Sequence, residues 1–380
     1  MILKKFSYSE FPDKVTSWSI DGLVLEDINL LVGKNATGKT KTLEKISWLG
    51  NMLAGRQPQL LNSGNYDVEF TDGEIVYKYK LNLALQKVEF EELIIDGNQK
   101  FKRESDGKGQ IVAAQFKEKM DFQLSSNQLV VTSKRDTIQH PFLSELVRWA
   151  EGQRMYNFSS NMGRDTVFIA NDMNNFDVDP RDMNSVISLF IKGEQEYKQD
   201  FRKLIIRSMN NIGYKLSNIG VASSPEPIPL AGNLKGLVLY VGEENSQSPI
   251  FQPYMSQGMF RALSLIIQIS YNTLKGLTTT TLIDDIGEGL DFERSTSVIK
   301  LITEIFSEKG KTQVIMSTND RFVMNNVPLE YWQVIQRDGG NCRVYNYQNS
   351  KEIFDKFAYT GLGNFDFLVN DFINAQKKAQ

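Results

Sequence analysis

One cysteine and one histidine stand in 380 residues, and these two scarcities narrow the chemistry at the outset. Cys342 alone makes no internal disulfide, no thiolate zinc site and no zinc hook, and it fits a reducing cytosol. His140 as the only imidazole argues against a Ser/His/Asp triad and against a multi-histidine metal centre; followed by Pro141, it reads as structural. No apolar run approaches the roughly 20 residues that a bilayer span requires. The start "MILKKFSYSEFPDK" turns polar before a signal-peptide core could form. Charge of one sign is missing too: the formal net charge is -3, so there is no global attraction to polyanions and any nucleic-acid site must be a local patch. Internal repeats, low-complexity tracts and sustained heptads are all lacking. These features predict a soluble cytoplasmic protein without membrane contact.

What is there reads as α/β. With 41% hydrophobic and 23% charged residues the chain can bury a sizeable core, and its length suits one large α/β unit carrying an inserted subdomain. "MILKKFSY", "SWSI" and "INLLVG" read as strands, the last apolar throughout as expected for a strand buried on both faces. A loop follows, then a helix with Leu43, Ile46, Leu49 and Leu53 on one face and Gly55 as its stop. Residues 66–122 alternate between polar and apolar and are punctuated by Asp-Gly turns, which predicts antiparallel hairpins. Helical character returns with "HPFLSELVRWAEGQRM". Residues 173–217 read as a polar, helical, inserted lobe, and 223–233 as a turn-rich connector. The last third has a βαβαβ rhythm and predicts a parallel sheet. The predicted division is an N-terminal lobe over 1–150, a largely helical insertion over 151–233 and a C-terminal lobe over 234–380.

The chemistry begins at "NLLVGKNATGKTKTL", which holds a full GxxxxGKT. Gly33 and Gly38 let the backbone curl until successive N–H groups point inward at phosphates. Lys39 reaches the β and γ oxygens, and the Thr40 hydroxyl ligates Mg2+. A helix starting there adds the positive end of its dipole. The strand before and the helix after supply the context that the motif needs, so this is a nucleotide site. Its partner is "TTTLIDD", an apolar strand ending in Asp284, whose carboxylate would hold the same magnesium. Asp284 lies more than half the chain after Lys39, which suits a cassette split by an insertion. Between them, "PYMSQGMFRALSLIIQIS" offers Ser256 as an N-cap, Gly258 for close approach and a helix behind, a second feature able to meet phosphate.

"INLLVGKNATGKT", "MSQGMFRALSL", "LIDDIGEGLD" and "VIMSTND" resemble, in order and spacing, the motifs of ABC-type ATPases. The likeness is to the RecF/SMC/OLD-related branch, and within it to the AAA-domain proteins grouped with AbiEii-like toxins and phage-defence ATPases. "MSQGMFRAL" is similar to that branch's S-x-G-x-x-R-x-L signature rather than to the transporter LSGGQ. The resemblance implies a P-loop fold of ABC type, with a mixed central sheet, an antiparallel N-terminal lobe and a helical insertion. It implies a homodimer, or a higher oligomer, in which each ATP lies between the P-loop of one copy and Ser256 and Gly258 of the other. Asn35, Ala36, Thr37, Gly38, Lys39, Thr40 and Lys41 would then wrap the phosphates, and Thr40 with Asp284 would hold Mg2+. Asp291 would communicate across the dimer, and Asn319 stands where the family's switch histidine belongs. Gln139 is a candidate for the glutamine that senses the metal.

Two departures from the pattern act together. Asp285 replaces the glutamate that polarises the attacking water, and Asn319 replaces the histidine. Aspartate is one methylene shorter, and misplacement by about 1 Å can cost roughly a hundredfold in rate. Asparagine hydrogen-bonds but carries no proton or charge. Slow hydrolysis and long-lived ATP-bound dimers are therefore expected, with Glu288 reading as a solvated or interface residue. Lys198, Arg202, Lys203 and Arg207 form a basic stripe that reads first as a solvated helix face, and otherwise as a grip on DNA phosphates or on an acidic partner surface. The aromatic C-terminal stretch 357–372 is expected to pack on its own lobe. Only about 40 residues follow the last strand-like segment, too few for the TOPRIM nuclease of OLD proteins, so an effector activity is expected on a separate chain, a nuclease or toxin. The readings left open are an ATP-dependent sensor of such an effector, a RecF-like DNA clamp, and a scaffold held together by uncleaved ATP.

Overall fold

The computed structural model describes residues 1–116, 118–169, 176–225, 236–277, 280–307 and 312–378. The chain divides into two compact units. The first comprises Met1–Arg154, Thr278–Leu282 and Phe306–Gln380, the second Met155–Leu277 and Ile283–Ile305. Among the described residues no helix is long and apolar enough to cross a membrane.

The first unit is organised by its most apolar strand. β3 (Ile28–Val32) is buried at every residue, as the uninterrupted run INLLV requires of a strand covered on both faces. β15 (Gln313–Ser317) and β16 (Trp332–Asp338) flank it, both parallel to it. Ser317 stands opposite Leu31, so the loops leaving β3 and β15 open at the same edge of the sheet. β14 (Thr280–Asp284) is the next neighbour beyond β15. On the other side, β17 (Asn341–Tyr345) folds back on β16 and runs parallel to β2 (Trp18–Val24), which pairs antiparallel with β1 (Ile2–Glu10). An antiparallel meander continues the sheet through β4 (Ser63–Asp72), β5 (Ile75–Ala84), β6 (Lys87–Ile95), β7 (Asn98–Glu104), β8 (Lys108–Ala113) and β9 (Glu118–Gln123). Its turns include Asp72-Gly73, Asp96-Gly97 and Asp106-Gly107, with each glycine at positive φ.

One helix starts at the edge where the loops open, and a second packs on it. α1 (Lys39–Leu53) buries Leu43, Ile46, Leu49 and Leu53 completely, and burying aliphatic side chains of this size stabilises by about 1.5–3 kcal/mol each. α3 (Ser144–Gly152) packs on α1, and the Gln153 carboxamide beyond it donates to the Ile46 carbonyl at 3.1 Å. The helix expected to run on through Met155 therefore stops here: Gln153 is extended, and β10 (Arg154–Asn157) begins. In the meander, a buried carboxylate organises a loop. Glu91 accepts from the Val130 N–H at 2.7 Å, at the start of the short α2 (Val130–Ser133), and from the Tyr79 hydroxyl at 3.0 Å. Arg103, also fully buried, donates to the carbonyls of Ser125 and Gln128. After α7 (Arg321–Asn326), the C-terminal aromatics pack on one another across α8 (Tyr347–Ala358), α9 (Asp366–Val369) and α10 (Phe372–Lys378). Phe354–Phe367 ring centres are 4.9 Å apart and Phe357–Phe372 5.2 Å. Tyr359 is the exception, fully in solvent.

The second unit is mostly helical. α5 (Gln257–Leu274) is buried along nearly its whole length and packs with α4 (Val186–Ile212), which also meets α6 (Phe292–Ile305). Helix was expected through residue 217, but Gly213 takes a left-handed C-cap and Leu216 opens a strand. That strand, β11 (Leu216–Ser223), pairs antiparallel with β12 (Leu237–Glu243), which in turn pairs with β13 (Ile250–Phe251). The connector expected over 223–233 begins as the end of β11, and most of it lies outside the described residues. α4 is interrupted at Lys198, whose φ of 51° is not helical. Arg202 is ion-paired with Glu194 at 2.6 Å. The basic stripe read from the sequence is thus broken by a backbone turn and partly neutralised, although Lys198, Lys203 and Arg207 are exposed.

Candidate nucleotide-binding site

The loop between β3 and α1 is shaped by close backbone contacts. A Cβ at Gly33 would lie 2.6 Å from the Ile335 carbonyl oxygen, so no larger residue fits there. Gly38, at φ 100°, is left-handed and caps α1, with the Trp18 ring 3.1 Å from where its Cβ would be. Ala36 is left-handed as well, at φ 63°. Inside the loop, the Lys39 ammonium is 2.9 Å from the Gly33 carbonyl, with the side chain buried. Thr37 closes the turn by donating its hydroxyl to the Lys34 carbonyl at 2.9 Å. Asn35 and Thr40 are exposed.

Residues far away in sequence hold this loop, and no motif announced them. Arg337, near the end of β16, donates to the Ala36 carbonyl at 3.0 Å and to the Gly339 carbonyl at 2.7 Å. Cys342 on β17 places its sulfur 3.2 Å from the Thr37 carbonyl, and burial pushes its thiol pKa up. The Lys41 side chain turns away from the loop: its ammonium is 2.6 Å from Glu10 and 4.5 Å from the Trp18 ring centre. Lys45 meets the other oxygen of Glu10 at 2.7 Å, and the Tyr8 hydroxyl donates to it at 2.8 Å. Burial raises the Glu10 pKa, but the hydrogen bonds from Lys41, Lys45 and Tyr8 outweigh it and hold the carboxyl below its ordinary range. Beside the loop a cavity of about 490 Å³ is lined by Gly33, Lys34, Thr37, Arg337 and Asp371 among others.

The other predicted site residues have these surroundings. Asn319 is exposed, two residues beyond β15, and the neighbouring Asp320 caps α7 by accepting from the Phe322 N–H at 2.6 Å. Gln139 is also exposed; its N–H donates to Asp136 and its carbonyl accepts from Ala114, which ties it to the meander. In the second unit, Asp284 is buried and its backbone carbonyl accepts from the Phe158 N–H at 2.9 Å. Asp285 is left-handed, at φ 53°, and only partly covered.

No family model matches the sequence, and no curated protein does. Among solved structures the chain is similar to an SMC head bound to the C-winged helix domain of ScpA, with TM-score 0.53 and 12% identity over 91% of this chain and 97% of that one. The fold is that of an SMC head, the ABC-type P-loop fold. The SMC head of Thermotoga maritima is a further structural neighbour, at TM-score 0.47 and 12% identity over 91% and 99% of the two chains. So is a head from Pyrococcus furiosus with an extended coiled coil, bound to the C-terminal domain of ScpA, at TM-score 0.49 and 10% identity over 94% and 100%.

Within this SMC-head fold, the second unit gathers the residues that the sequence reads as signature and D-loop. Ser256 caps α5, its hydroxyl oxygen accepting from the Met259 N–H at 3.2 Å. A Cβ at Gly258 would lie 2.5 Å from the Gly289 carbonyl oxygen, so glycine is what lets the helix start touch that loop. Arg261, just over one turn into the helix, donates to the carbonyls of Ser160 at 3.0 Å, Ser159 at 2.6 Å and Glu288 at 3.1 Å. It is the clamp of the arrangement, and its place in S-x-G-x-x-R-x-L was its signal in the sequence. A cavity of about 330 Å³ opens here, lined by Ser256, Gly258, Asp291, Arg294 and Tyr214 among others.

Proposed function

We propose that this chain is an ATP-binding protein that hydrolyses ATP slowly, and that two copies close head to tail around two nucleotides. One observation carries the reading: a loop that only glycine fits at Gly33, closed over a buried Lys39 ammonium at the strand edge of an SMC-head fold. Lys39 would bind the β and γ phosphates, with the loop N–H groups around it. Thr40 and Asp284 would hold Mg2+ on the strength of motif order, and the ion's part is to offset phosphate charge. Ser256 and Gly258 would face the nucleotide of the other copy, a role that suits a capped, exposed helix start whose N–H groups attract anions. Asp285 would accept the proton of the attacking water, and Asn319 would donate a hydrogen bond to the γ phosphate. Neither is the strongest residue for its task, which is the basis for slow turnover.

In this reading the ATP-closed dimer regulates a separate effector, a nuclease or toxin, in an anti-phage or toxin–antitoxin-like setting. The motif resemblance supports the setting, and an SMC head in complex with part of ScpA supports a partner chain. Substituting Lys39→Ala tests the core of the proposal. Equilibrium binding of Mg-ATP should fall by at least about 100-fold, since the ammonium is the charge that meets the phosphates. Wild-type affinity in that variant would refute the nucleotide site.

A further inference from the structure

The segment after the D-loop carries an arginine that no motif explains. Asp291 accepts from the Arg294 backbone N–H at 3.0 Å, which starts α6. The Arg294 side chain then turns back, donating from Nη1 to the other Asp291 oxygen. Its guanidinium lies 4.5 Å from the Tyr214 ring centre, a stacking that suits a planar cation. Only one edge of the fork is engaged by Asp291, and Nε is buried without a hydrogen-bond partner. The head is about one-third exposed and lines the same cavity as Ser256 and Gly258.

The cavity therefore joins three features that favour an oxyanion: the start of an 18-residue helix, a backbone approach that only Gly258 permits, and a guanidinium with unused donors. Against them stand the carboxylates of Asp291 and Glu243 in the same lining. Asp291 is matched one-to-one by Arg294, so the pair is neutral and solvent-facing, and such exposed pairs are worth only about 0–1 kcal/mol. A phosphate, which accepts two parallel N–H bonds from arginine, can displace a partner held that weakly.

We propose that Arg294 is a phosphate-binding residue that acts across the dimer. On closure it exchanges Asp291 for γ-phosphate oxygens of the ATP held by the P-loop of the second copy. Asp291 is then the latch that keeps the guanidinium folded back in the single chain, and Tyr214 is the platform on which it pivots. This rests on the head-to-tail reading given above.

The test uses the full chain and Mg-ATP. Arg294→Ala should bind Mg-ATP within about twofold of wild type at chain concentrations where no dimer forms, and should hydrolyse it about 100-fold more slowly, the scale seen when one preorganised charge-stabilising donor is removed. Arg294→Lys, which keeps charge but loses the fork, should recover part of the rate, and it serves in place of the alanine variant should that one melt early. The decisive arm mixes Arg294→Ala with Lys39→Ala chains. Their hybrid owns one complete site, an intact P-loop on the first and an intact Arg294 on the second, so hydrolysis should return when two nearly inactive proteins are combined. Mixing wild type with the double variant should give no such hybrid activity. Failure of the mixture to recover, or wild-type hydrolysis by Arg294→Ala, overturns the role of Arg294 while the dimer reading stands. If wild type itself shows no ATP-dependent dimer by sedimentation, the dimer reading falls and this inference with it.

Discussion

Asp285 sits at φ 53°, in the left-handed region that asparagine and aspartate visit far more readily than glutamate does. The short carboxylate is therefore compatible with the turn that follows β14, which gives a backbone reason for an aspartate at the position where the motif resemblance places a glutamate. The slow turnover proposed above suits the same feature, since a carboxylate one methylene shorter than glutamate reaches less far. Asp285→Asn keeps the turn and removes the proton acceptor. If Asp285 is the base, single-turnover hydrolysis should drop by about 100-fold or more, Mg-ATP affinity should change by less than threefold, and the ATP-held dimer should last longer in sedimentation runs. An unchanged rate would take Asp285 out of the mechanism. Lys41 makes a contrasting case at the same scale. Its place in the motif suggested phosphate contact, yet its ammonium is committed to Glu10 and Trp18, so what it offers the loop is its backbone N–H.

At the scale of elements, the antiparallel meander is tied to its neighbouring turn by one buried carboxylate, and this makes its stability depend on pH. Burial pushes the Glu91 pKa up to about 7, opposed by the bonds from Val130, Val131 and Tyr79 and by the charge of Arg103. The folded value lies above the ordinary 4.5, so the folded state holds the proton longer. The contribution is fully present below about pH 4.5 and is lost as pH rises to about 7, a difference of about 3 kcal/mol. Urea unfolding at pH 5 and pH 7.5 should show that loss in wild type, and Glu91→Gln should remove most of the slope. An identical slope in the variant would place the linkage elsewhere. Such a cluster was not legible in the sequence, because Glu91, Arg103 and Val130 come together only once the hairpins are in register. The elements themselves were legible where one signal dominated: INLLV by its unbroken apolar run, α1 by the spacing of Leu43, Ile46, Leu49 and Leu53, and the hairpins by Asp-Gly. β10 and β11 escaped because RMYN is too short to show a period, and because LSNIGVAS follows a long helix whose end is marked only by Gly213.

At the scale of the molecule, the order of motifs predicted the P-loop fold of ABC type. Helix α5 follows the insertion in sequence, and its buried surface meets α4 while its start meets Gly289. Long-range packing of that kind has no local sequence signal. The partition bears on function, since the P-loop belongs to the first unit and Ser256, Gly258, Asp291 and Arg294 to the second. If these two sets meet across two copies, as proposed, a chain alone cannot complete its site. Hydrolysis per chain should then rise in proportion to chain concentration below the dimerisation constant and level off above it. An enzyme that completes its site within one chain gives a specific activity independent of concentration. Phosphate release measured across a hundredfold dilution series at saturating Mg-ATP separates the two. The dimerisation constant read from that curve should match the one from sedimentation, because both report the same closure. A flat curve alongside a clear ATP-dependent dimer would mean that association serves the partner rather than the chemistry. In that case Ser256 and Gly258 would be interface residues with no part in turnover.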